Sequence, residues 1–358
     1  MADWSERLGE RRRRRVLLVT GEHQEAAVPT ALRVDRKLFT CGPALWNDFD
    51  DRLLGGQYDL ALVNGNHYPA ARQIVFVDEA KTGTLERRRD QLTDVAGIVR
   101  IEEGSGLPDW LQERVATQAT PPPVVSLGRV DELFSLIEQA VEEAVPPLHA
   151  LLLAGGKSER MGQDKSQLVY RDGQTEVERL RDMCGSLGIP VNLSVRAVRD
   201  RAAEGGGGAE IAALPQIADR FVGLGPAGAI CSAFLHDPDA AWLVLACDLP
   251  LLELDTLRKL VDARRPDRVA TAVRGAEKEW PEPLVAIYEP RAYQRLLQFL
   301  SLGYSCPRKL LINSEVAVVE LVGGRPLTNA NTPAERAWVL KMIADQAVSS
   351  TSPEIDRS

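Results

Sequence analysis

Two glycines and two cations lie close together in the stretch 151–165, LLLAGGKSERMGQDK. The apolar run 150–154 predicts a buried strand, and Gly155-Gly156 break it into a polar, basic loop. Paired glycines let the backbone turn sharply and approach a ligand closely. The N–H groups of such a turn can cradle phosphate oxygens. Arg160 and Lys165 supply positive charge to a polyphosphate, one as a planar fork and the other as a mobile point charge. The spacing is not that of the P-loop GxxxxGK[ST]. Taken alone, a glycine pair after a strand serves a plain turn as readily as a phosphate cradle.

A second group with chemical potential is Asp248, which follows the apolar run 243–247 and precedes Leu249-Pro250. A carboxylate at the carboxyl end of a buried strand lies where open α/β sheets bind ligands. Mg²⁺ that accompanies a nucleotide is held by one or two carboxylates together with phosphate oxygens. On its own Asp248 reads equally as the start of a turn or a cap; beside the glycine loop, metal binding is favoured. Asp219 lies in LPQIADRFVGLGPAGAI, whose Gly225-Pro226 closes a loop before a helix. Arg308 and Lys309 fit phosphate binding and a solvated basic helix start equally well. Asn329-Ala330-Asn331-Thr332-Pro333 reads as a helix start, with Thr332 as cap and Pro333 in the first turn. Its two asparagines remain available as polar ligands.

The string LAGGKSERMGQDK closely resembles the signature loop of the molybdenum cofactor guanylyltransferases, within the wider sugar-nucleotide-type nucleotidyltransferases. The shared residues are Leu153, Ala154, Gly155, Gly156, Ser158, Arg160, Met161, Gly162, Asp164 and Lys165. The resemblance implies a Rossmann-like α/β fold with a mostly parallel sheet and Mg²⁺-dependent transfer of GMP from GTP to molybdenum-loaded molybdopterin. It places the nucleotide at Leu153, Ala154, Gly155, Gly156, Lys165, Ser194, Asp219, Gly225 and Asp248. Arg160, Lys165 and Asp248 would be catalytic, with Asp248 as the metal ligand. The acceptor would meet Arg308, Lys309, Asn329 and Asn331, the last two in a stretch that resembles the family's NxNTP motif. The segment 281–284 (PEPL) would also face the acceptor. Two positions depart from the pattern: Ala229 stands where close relatives often have glycine, and Ser194 where some have asparagine. The alternatives are transfer of CMP or another nucleotide to a related phosphorylated acceptor, and a non-catalytic protein that delivers the cofactor. A recipient molybdoenzyme or its chaperone is the implied protein partner.

These residues need a scaffold, and the chain has the length for two domains: 358 residues, 44% hydrophobic and 26% charged. A net charge of −8 argues against a general nucleic-acid binder. Five scattered cysteines without a CxxC pair suggest neither a disulfide framework nor a zinc site, and point to a reducing cytoplasm. No apolar run reaches membrane-spanning length, and the charged N-terminus does not read as a signal peptide. The four histidines, His23, His67, His149 and His236, stand apart and read as structural or exposed.

Residues 1–15 read as a solvated basic arm, ending in the run 11–15. Strands are expected at 16–20, 59–63, 74–77 and 96–101 and a helix at 130–145, which together indicate a parallel α/β domain over 16–145. Parts of it resemble, more weakly, the GTP-binding accessory protein of molybdopterin dinucleotide synthesis. After the first strand, however, the chain reads GEHQEA with no P-loop. A degenerate scaffold or docking module is therefore expected. Pro146-Pro147 mark a break before the second domain, 148–346. Its strands are expected at 148–154, 191–195, 242–247, 269–273, 283–288 and 316–321. Its helices are expected at 176–187, 228–235, 254–263, 290–300 and 334–346. The glycine run 205–208 reads as a loop, and 347–358 as a flexible polar tail.

Overall fold

A computed structural model of the chain describes residues 16–20, 31–34, 37–40, 53, 55–66, 70, 72–154, 169–171, 173–198, 213–322, 325–330 and 332–350. The basic arm, His23, His67, the loop 155–168, the glycine run 205–208 and residues 351–358 lie outside the described residues. The chain divides into two compact units, Met1–Val145 and Pro146–Ser358.

In the first unit, β1 (Val16–Thr20), β2 (Ala31–Val34), β3 (Lys37–Thr40) and β4 (Leu60–Val63) form a sheet in the order β3-β2-β1-β4. Only β1 and β4 pair in parallel; β2 and β3 add antiparallel neighbours. The antiparallel strands β2 and β3 are additions that the parallel α/β reading of this unit did not include. The segments ALRV and KLFT interleave basic and apolar residues over only four positions each, too short a run to read as strands. A second sheet, β5 (Gln73–Val77), β6 (Val95–Arg100) and β7 (Val124–Ser126), is parallel throughout. Helix α1 (Thr82–Glu86) follows β5. Helix α2 (Asp109–Ala116) contributes Leu111 and Val115 to one apolar cluster with Val75, Val77 and Ile98. Helix α3 (Val130–Glu143) contributes Phe134, Leu136 and Ile137 to another with Val99 and Val125. Gly97 in β6 is what lets α3 approach: a Cβ there would overlap the Leu136 side chain.

The second unit is a three-layer sandwich. Its sheet comprises β8 (Leu148–Leu153), β11 (Val191–Val195), β12 (Gln216–Ala218), β13 (Ala241–Ala246), β14 (Ala270–Gly275), β15 (Val285–Tyr288) and β16 (Val316–Leu321). The strand order is β12-β11-β8-β13-β15-β14-β16, and β15 alone among these runs antiparallel to its neighbours. A short hairpin, β9 (Val169–Arg171) and β10 (Gln174–Thr175), stands apart from it.

Alternation along the strands sends side chains into two apolar layers. Ala150, Leu152, Leu243, Leu245, Val285 and Ile287 face α4 (Glu176–Ser186) and α6 (Leu254–Asp262). Leu151, Trp242, Val244, Ala286 and Tyr288 face α5 (Pro226–His236), α7 (Arg291–Ser301) and α8 (Pro307–Ile312). Fully burying a side chain of this kind is worth about 1.5–3 kcal/mol. The His149 ring meets Trp242 edge-on at 5.5 Å, a structural role for that histidine. Helix α9 (Pro333–Ser350) closes the chain and runs four residues beyond the end expected at 346, into the segment expected as a tail. Cys184, Cys231, Cys247 and Cys306 are free thiols, and burial pushes Cys184 up to about 12. Among the described residues no helix is long and apolar enough to cross a membrane.

Two local devices fix this frame. Glu289 is fully buried just after β15 and is gripped by two nitrogens of Arg264, Nε–Oε1 at 2.8 Å and Nη2–Oε2 at 2.9 Å. Arg264 also donates to the Pro146 carbonyl, at 2.9 Å. Gly228, in the first turn of α5, packs so tightly on the preceding loop that a Cβ would overlap the Phe221 carbonyl oxygen. Arg264→Met strands a buried carboxylate and is expected to cost about 3 kcal/mol, read as a lower urea midpoint at unchanged slope. Gly228→Ala should lose about 1–3 kcal/mol in the same assay. Gly185→Ala should gain about 0.5–1 kcal/mol, because it lies on an exposed stretch of α4 with open space at its Cβ.

Candidate active site at the carboxyl end of the sheet

The chain enters the sheet at β8, adds β11 and β12 on one side, and then crosses to β13 on the other. Strand order reverses there, and a crevice opens at the carboxyl ends of strands around such a switch point. The register brings the strand ends level: Leu153 lies opposite both Ser194 and Ala246, and Val195 opposite Ala218. Ala154, Asp219 and Asp248 therefore leave the sheet at one end. β15 runs the other way, so its beginning lies at that same end. The Ala246 N–H donates to the Leu284 carbonyl at 3.1 Å, extending the β13–β15 pairing toward Glu282.

Asp248 is half-buried. Its carbonyl accepts the Ala330 N–H at 3.0 Å, which docks the Asn329-Ala330 segment against the end of β13. Ala330 is buried in a small cluster with Tyr170, Leu251 and Val339. Thr332 then starts α9 with a reciprocal cap: its hydroxyl accepts the Glu335 N–H at 3.2 Å, while its own N–H donates to the Glu335 carboxylate at 2.9 Å. The asparagine stretch is thus both a helix start and a wall of the Asp248 end. Asn329 is exposed there.

Glu282 lies in the PEPL segment that the sequence reading turned toward the acceptor, without a role of its own. Its side chain is only 20% exposed, and Arg308 Nη2 lies 3.6 Å from its Oε2. Burial, seconded by the Asp248 charge, holds its carboxyl above the usual carboxylate range, against the lowering pull of the Leu284 N–H, Arg308 and Lys278. Arg308 therefore reaches the Asp248 end through Glu282. Lys309, its neighbour on α8, lies with Nζ 4.1 Å from the centre of the Tyr304 ring.

On the other flank, Asp219 accepts a hydrogen bond from Ser232 Oγ at 3.2 Å. The single proton of that hydroxyl is shared with the Gly228 carbonyl, its nearer acceptor at 2.7 Å, and its oxygen accepts the Arg220 N–H, at 2.8 Å. The loop carrying Asp219 is thereby tied to the first turns of α5. Gly225 precedes that helix with φ +58°, a conformation that favours glycine, and Pro226 opens the helix. Burial, with Asp219 adding to it, pushes the Cys231 thiol up to about 12. Leu153 and Ser194 lie opposite one another on β8 and β11, and Ser194 is buried. Ala229 is buried in α5.

The structure thus brings Leu153, Ala154, Ser194, Asp219, Gly225, Asp248, Arg308 and Asn329 to one end of the sheet or to the elements beside it. Gly155, Gly156, Arg160, Lys165 and Asn331 lie outside the described residues. Two residues at this end escaped the sequence reading. Tyr170 is 6% exposed, its hydroxyl has no hydrogen-bond partner among the described residues, and burial raises it above the ordinary phenol range. Arg179 contacts the turn that follows Asp248. Among the described residues there is no cluster of three or more metal-ligating side chains. Oxygen donors at Asp248 fit a hard divalent cation that completes its shell with phosphate and water.

Residues 150–317 match the MobA-like NTP transferase domain. The chain is 32% identical over 189 residues to the molybdenum cofactor biosynthesis bifunctional protein of Synechocystis sp., covering 53% of this chain and 52% of that relative. It thus spans about half the length of that protein. It is 32% identical over 204 residues to the probable molybdenum cofactor guanylyltransferase of Rhodopirellula baltica, covering 54% of this chain and 91% of the relative. A protein of the same description from Carboxydothermus hydrogenoformans is 30% identical over 207 residues, with 55% and 97% covered. Among solved structures, molybdopterin-guanine dinucleotide biosynthesis protein A from Archaeoglobus fulgidus aligns at 20% identity and a TM-score of 0.42, over 55% of this chain and 99% of that one. The chain therefore belongs to the MobA-like NTP transferase family of nucleotidyltransferases.

Proposed function

We propose that the chain transfers GMP from GTP to molybdenum-loaded molybdopterin in the cytoplasm, making the guanine dinucleotide form of the cofactor. The observation that carries this reading is the place of Asp248. It leaves a fully buried strand at the switch point of the sheet, beside the Asn329-Ala330 segment and at the same end as Asp219 and Glu282.

In this reading an oxygen of the molybdopterin phosphate attacks the α-phosphorus of GTP. The bond from that phosphorus to the bridging oxygen of the β-phosphate breaks, and pyrophosphate leaves with the electron pair. The attacking phosphate is already anionic, so no strong base is needed, and catalysis is mainly positioning and charge stabilisation. Gly155, Gly156, Arg160 and Lys165 would hold the triphosphate. Leu153, Ala154, Ser194, Asp219 and Gly225 would line the nucleoside side. Arg308, Lys309, Asn329 and Asn331 would face the acceptor. Mg²⁺ held by Asp248 would supply neutralisation of charge on the phosphates.

The first unit, without a P-loop after β1, is read as a scaffold or docking module, with a recipient molybdoenzyme or its chaperone as the protein partner. Asp248→Ala is expected to lower pyrophosphate release by about a hundredfold or more while leaving the melting temperature close to that of the parent. Turnover should require GTP, with ATP and UTP inactive. Turnover with CTP would keep the mechanism and change the product. Retained activity in Asp248→Ala would remove Asp248 from the chemistry.

A further inference from the structure

Beneath the Asp248 end lies a buried ion pair. Arg179 and Glu176 sit three residues apart on α4, with side chains 12% and 2% exposed. The pairing is two-pronged: Nε donates to Oε1 at 2.8 Å and Nη2 to Oε2 at 2.8 Å. The guanidinium has further hydrogen bonds: Nη1 reaches Met183 Sδ on the same helix at 3.1 Å, and two others leave the helix. Nη1 donates to the Leu252 carbonyl at 2.6 Å and Nη2 to the Leu249 carbonyl at 3.2 Å. These two carbonyls bracket the turn that begins immediately after Asp248. A second arginine, Arg171, donates from Nη2 to the Pro250 carbonyl between them, at 3.4 Å. The Ala330 N–H takes the carbonyl of Asp248 itself, at 3.0 Å.

A buried ion pair is an expensive way to dock a helix on a loop, because apolar contacts would do so at lower desolvation cost. What the guanidinium adds is a rigid fork with several donors in one plane. Glu176 occupies one edge of that fork, and the turn after Asp248 takes a hydrogen bond from each Nη, with Met183 Sδ sharing Nη1. Side chains that orient a ligating carboxylate from behind commonly carry this kind of geometry.

We infer that Arg179 is a positioning residue for Asp248: held by Glu176, it clamps the Leu249–Leu252 turn and so fixes where the Asp248 carboxylate stands at the nucleotide's metal. The inference rests on the metal role proposed for Asp248. It requires no contact between Arg179 and the nucleotide or the metal.

Mn²⁺ binding in the presence of GTP, followed by the enhancement of water-proton relaxation that distinguishes protein-bound Mn²⁺ from the Mn²⁺–GTP complex in solution, tests it without relying on turnover. Arg179→Met should weaken Mn²⁺ binding about tenfold. Arg179→Lys keeps a charge opposite Glu176 but loses the fork, so it should give a smaller shift in the same direction, and it remains informative should the Met variant fail to fold. Leu180→Ala is the control: it removes a fully buried side chain from the same helix and should lower the melting temperature while leaving Mn²⁺ affinity unchanged. Equal Mn²⁺ affinity in the parent and both Arg179 variants would overturn the inference. So would a loss in Leu180→Ala that matches theirs at equal melting temperature. Failure of the unsubstituted protein to bind Mn²⁺ with GTP would instead overturn the metal role of Asp248, and the inference with it.

Discussion

A strand with no exposed residue must lie in the middle of a covered sheet, and Ala241–Ala246 is buried at every position. That constraint places β13 between β8 and β15, with helices on both faces. The first polar side chain after the strand is Asp248, which emerges at the carboxyl end of the sheet. Satisfying the β13 backbone requires β8 on one side and β15 on the other. Those two neighbours deliver the entry to the glycine loop and the Glu282 segment to the same place. The candidate site is thus a consequence of how an apolar strand is covered, built from the first residues that escape burial.

The charged groups around Asp248 are arranged in graded depth. Glu176 and Arg179 lie deepest, paired with each other, and Arg179 also donates to backbone carbonyls. Glu282 is intermediate, with burial raising its carboxyl and Arg308 offsetting part of that penalty. Arg308 itself is half exposed at the rim. Such a gradient keeps deep charges paired, where an unpaired one would cost most, and leaves a half-exposed cation at the rim. On the opposite flank the Asp219 loop is fixed by neutral hydrogen bonding through Ser232 and by close approach at Gly228.

Much of this was legible in the residues themselves. The runs LHALLL and AWLVLA could only be buried strands, and their polar successors mark the binding end. Thr332-Pro333 announced the start of α9 by cap chemistry alone. The three-residue strand β12 was missed because QIA is too short to show a period. Helix α8, six residues long, was only one of two readings for Arg308-Lys309, because so short a run shows no period. Arg179 and Glu176 were missed for a different reason. A Glu and an Arg three residues apart on a helix ordinarily describe a solvated pair, and only packing reveals that this one is buried against a turn from another part of the chain. Thr175 with Glu178 did offer a visible clue to where α4 begins, since the two form a capping box. Glu282 was visible between two prolines, but its approach to Asp248 depends on the antiparallel insertion of β15, which no local pattern states.

The most direct test of guanylyl transfer follows the phosphorus atoms. Purified protein with Mg²⁺ and molybdenum-loaded molybdopterin would be given GTP labelled at either the α- or the γ-phosphorus, and the products separated. The account predicts that the α-label moves into a pterin dinucleotide and that the γ-label appears only in pyrophosphate. Release of the γ-label as orthophosphate, with no α-label reaching the pterin, would contradict it.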